Sequence, residues 1–287
     1  MKVLVTGSEG FLGKHVSQAL KAKGHQVEGL DLAPTADIVA DITKVMPLMQ
    51  VDAVVHLAAI ASPNVCAVNP SQAFDANVQG TSQVLRLALE SGAKKFVFSS
   101  SAHVYDIPPK YLPTDEVHPL RLNNTYTTTK LLGEQLCHLY FENHGLSYTT
   151  LRLFNAYGPG QALGYFIPDM MAKAKTGEIE LRGGETTKDW VYATDVAEAF
   201  CRAVESVYVG PLNIGTGVET PLSEIARIIA ADAGATLRLV PSPAYTRMRA
   251  DVRRAWRVLN WTPHVDIHGG LRATLGATKA SPIPAKS

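Results

Sequence analysis

The chain has 287 residues, of which 46% are hydrophobic, and its formal net charge is +1, so the composition is that of a globular protein. No run of like charge indicates a nucleic-acid surface, and three scattered cysteines without a CxxC pair argue against a disulfide framework or a metal site. The start lacks a signal-peptide layout and no apolar run is long enough to cross a membrane, so we expect a cytoplasmic protein.

Strands and helices alternate along the first part of the chain. Short apolar strands are predicted at residues 2–6, 26–31, 53–58, 95–100 and 147–154, with a weaker strand and a short helix within 38–49. Helices are predicted at residues 11–23, 70–91 and 125–144, and a glycine follows each. Such alternation requires a parallel sheet with right-handed crossovers, so we expect an α/β fold with a doubly wound, Rossmann-type sheet.

After residue 158 the pattern changes to short strands mixed with helices. Strands are predicted at residues 179–182, 189–192, 212–214 and 237–240, and helices at 165–175, 194–206 and 221–232. We therefore divide the chain into a sheet domain (1–158), a smaller mixed α/β lobe (159–279) and a loose tail (280–287). The segment 189–214 could return to the main sheet.

The run VTGSEGFLG places three glycines between the first strand and the first helix. Gly7 permits a tight turn, Gly10 lets the backbone approach a pyrophosphate, and Gly13 lets the helix pack closely on the strand. The helix N-terminus offers N–H groups and the positive end of its dipole to the phosphates. Asp31 ends the second strand, where a carboxylate accepts both ribose hydroxyls and repels a 2′-phosphate. The sequence therefore predicts NAD as the cofactor.

Further cofactor contacts are expected at the carboxyl ends of the strands, where ligands of open α/β sheets lie. Asp41 and Ile42 follow the weaker strand and could hold the adenine ring by a hydrogen bond and an apolar contact. Small residues after the strand at 53–58 leave room for a ring across the sheet edge. The predicted cofactor contacts also include Phe11, Leu12, Leu57, Ala58 and Ala59.

Tyr126 and Lys130 are four residues apart in a predicted helix, so phenol and ammonium share a face. A free phenol has a pKa of about 10, too high for a base at neutral pH. A nearby cation lowers the pKa of a phenol, so Lys130 is expected to make Tyr126 a usable base. Alone, such a pair would be a surface pair. With the glycine loop upstream, it indicates proton removal from a hydroxyl whose carbon loses a hydride.

Several motifs, in this order, resemble the extended short-chain dehydrogenase/reductase superfamily, in its NAD-dependent sugar epimerase/dehydratase branch. The similarity lies in TGSEGFLG, HLAA, NVQGT, FSSSAHVY, YTTTK, LRLFNAYGPG and KDWVYATDVAEA, and in two C-terminal segments, NIGTG and DVRRAWRVLNWTP. It implies that Tyr126 is the catalytic base, that Lys130 holds the nicotinamide ribose and tunes Tyr126, and that Ser101 binds the hydroxyl being oxidised. It also places Asn77 and Ser99 near the cofactor and Asn155 at the nucleotide-sugar.

The chain departs from the family pattern on the substrate side. His103 stands where epimerases often carry Thr, and it could bind substrate, titrate near neutrality or simply pack. Lys188 replaces an Arg that often contacts the diphosphate, which keeps the charge but loses the bidentate fork. The later diphosphate arginine could be Arg247 or Arg249. Ala102-His103 replaces the Asp-Glu pair typical of 4,6-dehydratases, which argues against a dehydratase.

The resemblance therefore implies an NAD-dependent nucleotide-sugar epimerase, and C4 epimerisation of a UDP-hexose is the expected reaction. A keto-sugar reductase or sugar dehydrogenase is the alternative, and a non-catalytic NAD-binding sensor is a third. Residues 1–158 would hold NAD and residues 159–279 the nucleotide-sugar. In this family the helices matching 70–91 and 125–144 form a four-helix interface, so we expect a homodimer.

Overall fold

A seven-stranded parallel sheet forms the centre of the molecule. The computed structural model describes residues 1–280, and of residues 278–280 the backbone alone. The strands in chain order are β1 (Lys2–Thr6), β2 (Gln26–Asp31), β3 (Ile38–Val39), β4 (Ala53–His56), β5 (Lys95–Ser101), β6 (Ser147–Leu153), β7 (Asn155–Tyr157), β8 (Glu178–Arg182), β9 (Thr187–Lys188), β10 (Trp190–Tyr192), β11 (Gly210–Ile214), β12 (Thr220–Pro221) and β13 (Thr236–Val240). The main sheet has the order β11-β6-β5-β4-β1-β2-β3. Successive strands are added to one side of β1 up to β3 and to its other side from β4 onwards, so the strand order reverses between β1 and β4. Ligands of such sheets bind at this switch point.

Ten α-helices surround the strands in the part of the chain that the structure describes. They are α1 (Phe11–Ala22), α2 (Pro63–Val68), α3 (Pro70–Phe74), α4 (Gly80–Glu90), α5 (Thr125–His144), α6 (Phe166–Ala174), α7 (Ala193–Glu205), α8 (Leu222–Ala233), α9 (Arg253–Leu259) and α10 (Ile267–Ala280). None of these helices combines the length and apolarity that a membrane crossing needs. Of the tail predicted at 280–287, the residues after Ala280 lie outside the described part of the chain.

Both faces of the main sheet are covered, as its apolar strands require. Val3 and Val5 of β1 pack into a core that includes residues of α1 and α7, whereas Leu4 packs on the opposite face with residues of α4. This division follows from the alternation of side chains along a strand. The α/β class and the doubly wound sheet predicted from the sequence are confirmed.

A second layer of short strands and helices follows β6. The pairs β7–β10 and β8–β13 are parallel and the pair β9–β12 is antiparallel. Residues of α6, α8 and α10 form a separate core with Trp190 of β10. Two elements of the segment 189–214 belong to the main sheet domain. Helix α7 packs in the core that contains α1, and strand β11 extends the main sheet beside β6. This segment therefore contributes to the main sheet.

Three predicted elements were wrong in detail. Residues 40–52 contain no helix, because a turn follows Asp41 and Pro47 lacks the N–H that a helix interior uses. The strand predicted at 53–58 ends at His56, after which the chain turns towards the switch point. The helix predicted at 70–91 is interrupted by a π-helical segment, Asp75–Gln79.

Candidate active site

The loop between β1 and α1 brings backbone rather than side chains to the helix N-terminus. Gly7 has a φ of 72°, and a Cβ there would lie 2.7 Å from the backbone nitrogen of Ala58. A Cβ on Gly13 would overlap the carbonyl oxygen of Gly7. Gly10 is the N-cap of helix α1 and offers no side-chain cap, and the first turn of the helix has no acidic residue. Its N–H groups and positive dipole end therefore fit the pyrophosphate of a dinucleotide.

The carboxylate of Asp31 joins this loop to the chain after β2. One oxygen accepts from the N–H of Glu9 at 3.0 Å, and the other accepts from the N–H of Ala33 at 3.1 Å. The side chain of Glu9 in turn accepts from the hydroxyl of Thr35 at 2.9 Å. Two carboxylates thus lie where the adenosine ribose of a dinucleotide is expected, which suits ribose hydroxyls and repels a 2′-phosphate.

The remaining predicted cofactor residues lie around the same edge of the sheet. Asp41 accepts from both the N–H and the hydroxyl of Thr43 at 2.8 Å, and these bonds lower the pKa of its carboxyl. Both bonds use Oδ1, which leaves Oδ2 for another donor. Ile42 is buried against Gly80. Phe11 and Leu12 open α1, and Leu57, Ala58 and Ala59 follow β4 directly.

Asn77 lies in the π-helical segment and forms hydrogen bonds with two elements of the site. Its Oδ1 accepts from the N–H of Ile60 at 2.7 Å, and its Nδ2 donates to the carbonyl of Ile60 at 3.1 Å and to the hydroxyl of Thr129 at 3.0 Å. The amide therefore ties the loop after β4 to α5. The extra residue of a π-turn aims this side chain, which a regular helix would direct elsewhere.

Tyr126, Lys130 and Ser101 come together at the carboxyl end of β5. The Tyr126 side chain is buried and the Ser101 side chain is hydrogen-bonded to it. The ammonium of Lys130 donates to the carbonyl of Ser99 at 2.9 Å and lies 6.0 Å from the centroid of the Tyr126 ring. Asn124 caps α5 in a reciprocal capping box, which fixes the first turn on which Tyr126 lies.

The expected effect of Lys130 on Tyr126 was wrong. Burial raises the pKa of Tyr126 to about 12, and the hydrogen bond to Ser101 only partly opposes this rise. Burial also lowers the pKa of Lys130 to about 8. Removing the phenol from water disfavours its charged form, and the group that lowers its pKa is the Ser101 hydroxyl rather than Lys130. Forming the phenolate needs further positive charge, which an oxidised nicotinamide carries.

His103 lies beside Tyr126, with the ring centroids 6.4 Å apart and the planes at 90°. Its backbone N–H donates to the Ser101 hydroxyl at 3.2 Å. Burial and the charge of Lys188 lower the pKa of His103 to about 4. The alternative in which His103 titrates near neutrality was therefore wrong, and the imidazole is neutral at physiological pH.

The predicted substrate cations fall into two groups. Arg247 is paired with Glu219, with an Nε–Oε1 distance of 2.9 Å, and is exposed. Arg249 has a buried Nε without a hydrogen-bond partner. Lys188 is half-buried, which lowers the pKa of its ammonium, and it donates to the sulfur of Met248 at 3.2 Å. Arg249 and Lys188 therefore remain able to bind an anion, whereas Arg247 is engaged.

Asn155 and Tyr157, on the short strand β7, have structural contacts near the site. Asn155 donates its side-chain amide to the carbonyl of Asp189 at 3.0 Å. That bond joins β7 to the chain before β10, so Asn155 holds the two short strands together. Tyr157 of β7 is fully buried in the core that contains residues of α6, α8 and α10.

Sequence reasoning overlooked a buried ion pair behind the catalytic helix. Glu134 follows Lys130 by one helical turn, and its carboxylate forms two hydrogen bonds with Arg152 of β6, at 3.0 and 2.7 Å. Ser100 donates to the same carboxylate at 2.5 Å. The signal was present in the run YTTTKLLGE, where the acid continues the four-residue spacing of Tyr126 and Lys130. This pair anchors α5 to β5 and β6.

Comparisons with known proteins agree with the fold and the motifs. The family model for the NAD-dependent epimerase/dehydratase family matches residues 3–215. UDP-glucose 4-epimerase of Mycolicibacterium smegmatis is 32% identical over 308 residues, which cover 96% of this chain and 97% of that protein. UDP-glucuronic acid decarboxylase 1 of Arabidopsis thaliana is 28% identical over 297 residues, covering 94% of this chain and 68% of that protein.

A solved structure is similar over the whole fold. The NAD complex of Thermus thermophilus UDP-glucose 4-epimerase has a TM-score of 0.86 at 26% identity, covering 98% of this chain and all of that chain. Family model, relatives and structure all point to NAD-dependent chemistry. The chain is therefore an enzyme that belongs to the NAD-dependent epimerase/dehydratase family.

Proposed function

We propose that the protein catalyses C4 epimerisation of a nucleotide-sugar, most simply a UDP-hexose, with NAD as the cofactor. The observation that carries the proposal is the buried phenol of Tyr126, hydrogen-bonded to the Ser101 side chain at the carboxyl end of β5. A hydroxyl bound between these two oxygens can lose its proton while the carbon that bears it loses a hydride.

When bound, NAD supplies the acceptor for that hydride. Ser101 and Tyr126 hold the C4 hydroxyl, and Tyr126 takes its proton as the C4 ketone forms. Lys130, fixed on the carbonyl of Ser99 at 2.9 Å, places a cation behind the phenol and binds the nicotinamide ribose. Once the sugar has turned, Tyr126 returns the proton to O4 as C4 is reduced on its other face. Burial of Tyr126 keeps bulk water from the ketone.

We assign the diphosphate of the substrate to Arg249 and Lys188. The first has an unpartnered buried Nε, and the ammonium of the second has a thioether as its partner. The domain division follows: residues 1–158, together with 189–214, bind NAD, and the rest of 159–279 binds the nucleotide-sugar. Burial penalises a charge without a close counter-ion, so the ammonium of Lys188 is favourable only when an anion occupies the site.

We also propose a homodimer formed through α4 and α5. Leu132 and Leu139 are 38% and 50% exposed on α5, and their seven-residue spacing puts them on one face. A Leu139→Glu variant is expected to give the mass of one chain in light scattering, whereas the unchanged protein gives twice that mass. A single-chain mass for the unchanged protein would refute the dimer.

Proton NMR of the NAD-loaded protein with UDP-, dTDP-, GDP- and CDP-sugars tests the proposed reaction. The expected result is a C4 epimer without net consumption of NAD. A net reductase or dehydrogenase would instead consume added NAD(H) in proportion to product. Tyr126→Phe is the matched control, since it keeps the ring and removes the oxygen, and its turnover should fall by about a hundredfold or more. Absence of any epimer across the panel would contradict the proposal.

A further inference from the structure

The segment 246–251 carries Arg249, the arginine assigned to the diphosphate, but it forms no helix or strand. Neighbouring segments hold its backbone in place. The carbonyl of Arg249 accepts from the N–H of Thr114 at 2.8 Å, and the N–H of Ala250 donates to the carboxylate of Asp189 at 2.9 Å. The position of Arg249 therefore depends on these contacts rather than on regular secondary structure.

The carboxylate of Asp189 is fully buried and accepts four hydrogen bonds from two segments of the chain. Its Oδ1 accepts from the N–H and the hydroxyl of Thr216 at 2.6 and 2.7 Å, and its Oδ2 accepts from the N–H groups of Gly217 and Ala250, both at 2.9 Å. Burial raises the pKa of this carboxyl, and the four hydrogen bonds oppose that rise. One side chain thus joins the loop after β11 to the segment that carries Arg249.

Arg249 differs from Arg247 in how its guanidinium is held. Within residues 1–280, the buried Nε of Arg249 has no hydrogen-bond partner, whereas Arg247 is paired with Glu219. A carboxylate in contact with a guanidinium competes with phosphate oxygens for the same N–H groups. A carboxylate that binds the backbone one residue further along the chain can fix the position of Arg249 and leave its guanidinium free for a substrate.

We propose that Asp189 is a positioning residue for substrate binding, which fixes the backbone at Ala250 and so presents Arg249 to the diphosphate. This rests on the proposed function, because that function assigns the diphosphate to Arg249. Close packing supports the role, since a Cβ on Gly215 would lie 2.7 Å from the Cβ of Ala250 and 3.0 Å from Oδ2 of Asp189. The bond between Asp189 and Ala250 therefore has little freedom to shift.

The variant Asp189→Asn tests this role, because it keeps the shape of the side chain but cannot accept all four hydrogen bonds in either orientation of its amide. Calorimetry with UDP measures binding of the diphosphate to the NAD-loaded protein without any turnover. We expect the Kd of UDP to rise about tenfold while NAD is still retained. Asp195→Asn is the matched control, since Asp195 is also buried and accepts from the N–H of Val265 at 3.0 Å, in a segment that carries no substrate cation. Its Kd for UDP should stay within about twofold of the unchanged protein.

A double-variant cycle with Arg249→Ala separates positioning from a general structural effect. In that background Asp189→Asn should change the Kd of UDP by no more than about twofold, because its effect passes through Arg249. An equal rise in both backgrounds would overturn the role of Asp189, as would unchanged UDP binding in the single variant.

Gly215→Ala gives the same comparison if Asp189→Asn does not fold, because its Cβ would displace Ala250, and UDP binding as tight as in the unchanged protein would again overturn the role. Failure of UDP to bind the unchanged protein would remove the diphosphate assignment together with this role. Binding of UDP without any C4 epimer across the panel would remove the proposed reaction alone.

Discussion

The ion pair between Glu134 and Arg152 is predicted to be essential for stability rather than for chemistry. Their side chains are only 7% and 4% exposed, and Arg152 uses two of its nitrogens on the one carboxylate. Removal of Glu134 would leave the guanidinium buried beside the Ser100 hydroxyl without a counter-ion. Breaking a buried pair by removing one partner costs about 3–5 kcal/mol, so Glu134→Ala should lower the free energy of unfolding by that amount.

Two further variants define the origin of the effect. Glu134→Gln keeps an acceptor for Ser100 and removes only the charge, so its cost should be smaller, about 1–3 kcal/mol. The double variant Glu134→Leu with Arg152→Met removes both charges and should recover much of the loss, since apolar replacements of buried pairs are often close to neutral. Glu142→Ala is the matched control, because Glu142 is exposed on the same helix.

Urea denaturation followed by circular dichroism measures all four variants. Glu142→Ala should lie within about 0.5 kcal/mol of the unchanged protein, as surface substitutions usually do. If Glu134→Ala also falls in that range, water or another anion compensates Arg152, and the view of a dry, paired charge behind the catalytic helix is wrong. A double variant less stable than Glu134→Ala would contradict it as well.

Two other predictions concern the binding sites. Gly13→Ala should abolish NAD retention, because its Cβ would overlap the carbonyl of Gly7, whereas the control Gly276→Ala has open space around its Cβ and should retain NAD. The nucleotide released from the denatured proteins is quantified by chromatography, and equal retention by both variants would refute the tight loop. Arg249→Ala should raise the KM for the nucleotide-sugar about tenfold, because one charge-assisted hydrogen bond is lost, whereas Arg247→Ala should change the KM by no more than about twofold. Steady-state kinetics measures both values, and a larger effect of Arg247→Ala would assign the diphosphate to Arg247.

Much of the architecture was predictable because it rests on local patterns. The alternation of apolar strands with helices along the first 158 residues is enough to require a parallel sheet. The sequence does not decide the position of β11 beside β6, because pairing between strands far apart in sequence depends on packing that no local pattern records. The π-helical segment Asp75–Gln79 escaped prediction for a similar reason: its helical periodicity is ordinary, and its purpose lies in the contacts of Asn77 with Ile60 and Thr129.

The sequence was enough to predict that Tyr126 and Lys130 share a helix face, but not the electrostatics around them. The spacing of Tyr126 and Lys130 correctly places both on one face of α5. Their pKa values depend on burial, which is set by the whole fold, and burial reverses the expected lowering at Tyr126. Likewise, Arg247 and Arg249 are indistinguishable in sequence. Their difference arises from Glu219, which lies 28 residues from Arg247 and pairs with it.

The most direct test of the central claim is whether a deuterium label at C4 of the sugar is retained at C4 of the epimer. A sugar nucleotide of the panel that carries deuterium at C4 is converted in ordinary water by the NAD-loaded protein, and the product is read by NMR. We predict that the epimer keeps its deuterium at C4, because hydride leaves and returns within one closed site, and that Tyr126→Phe makes almost no epimer. Loss of the label to water, or undiminished conversion by Tyr126→Phe, would contradict the account.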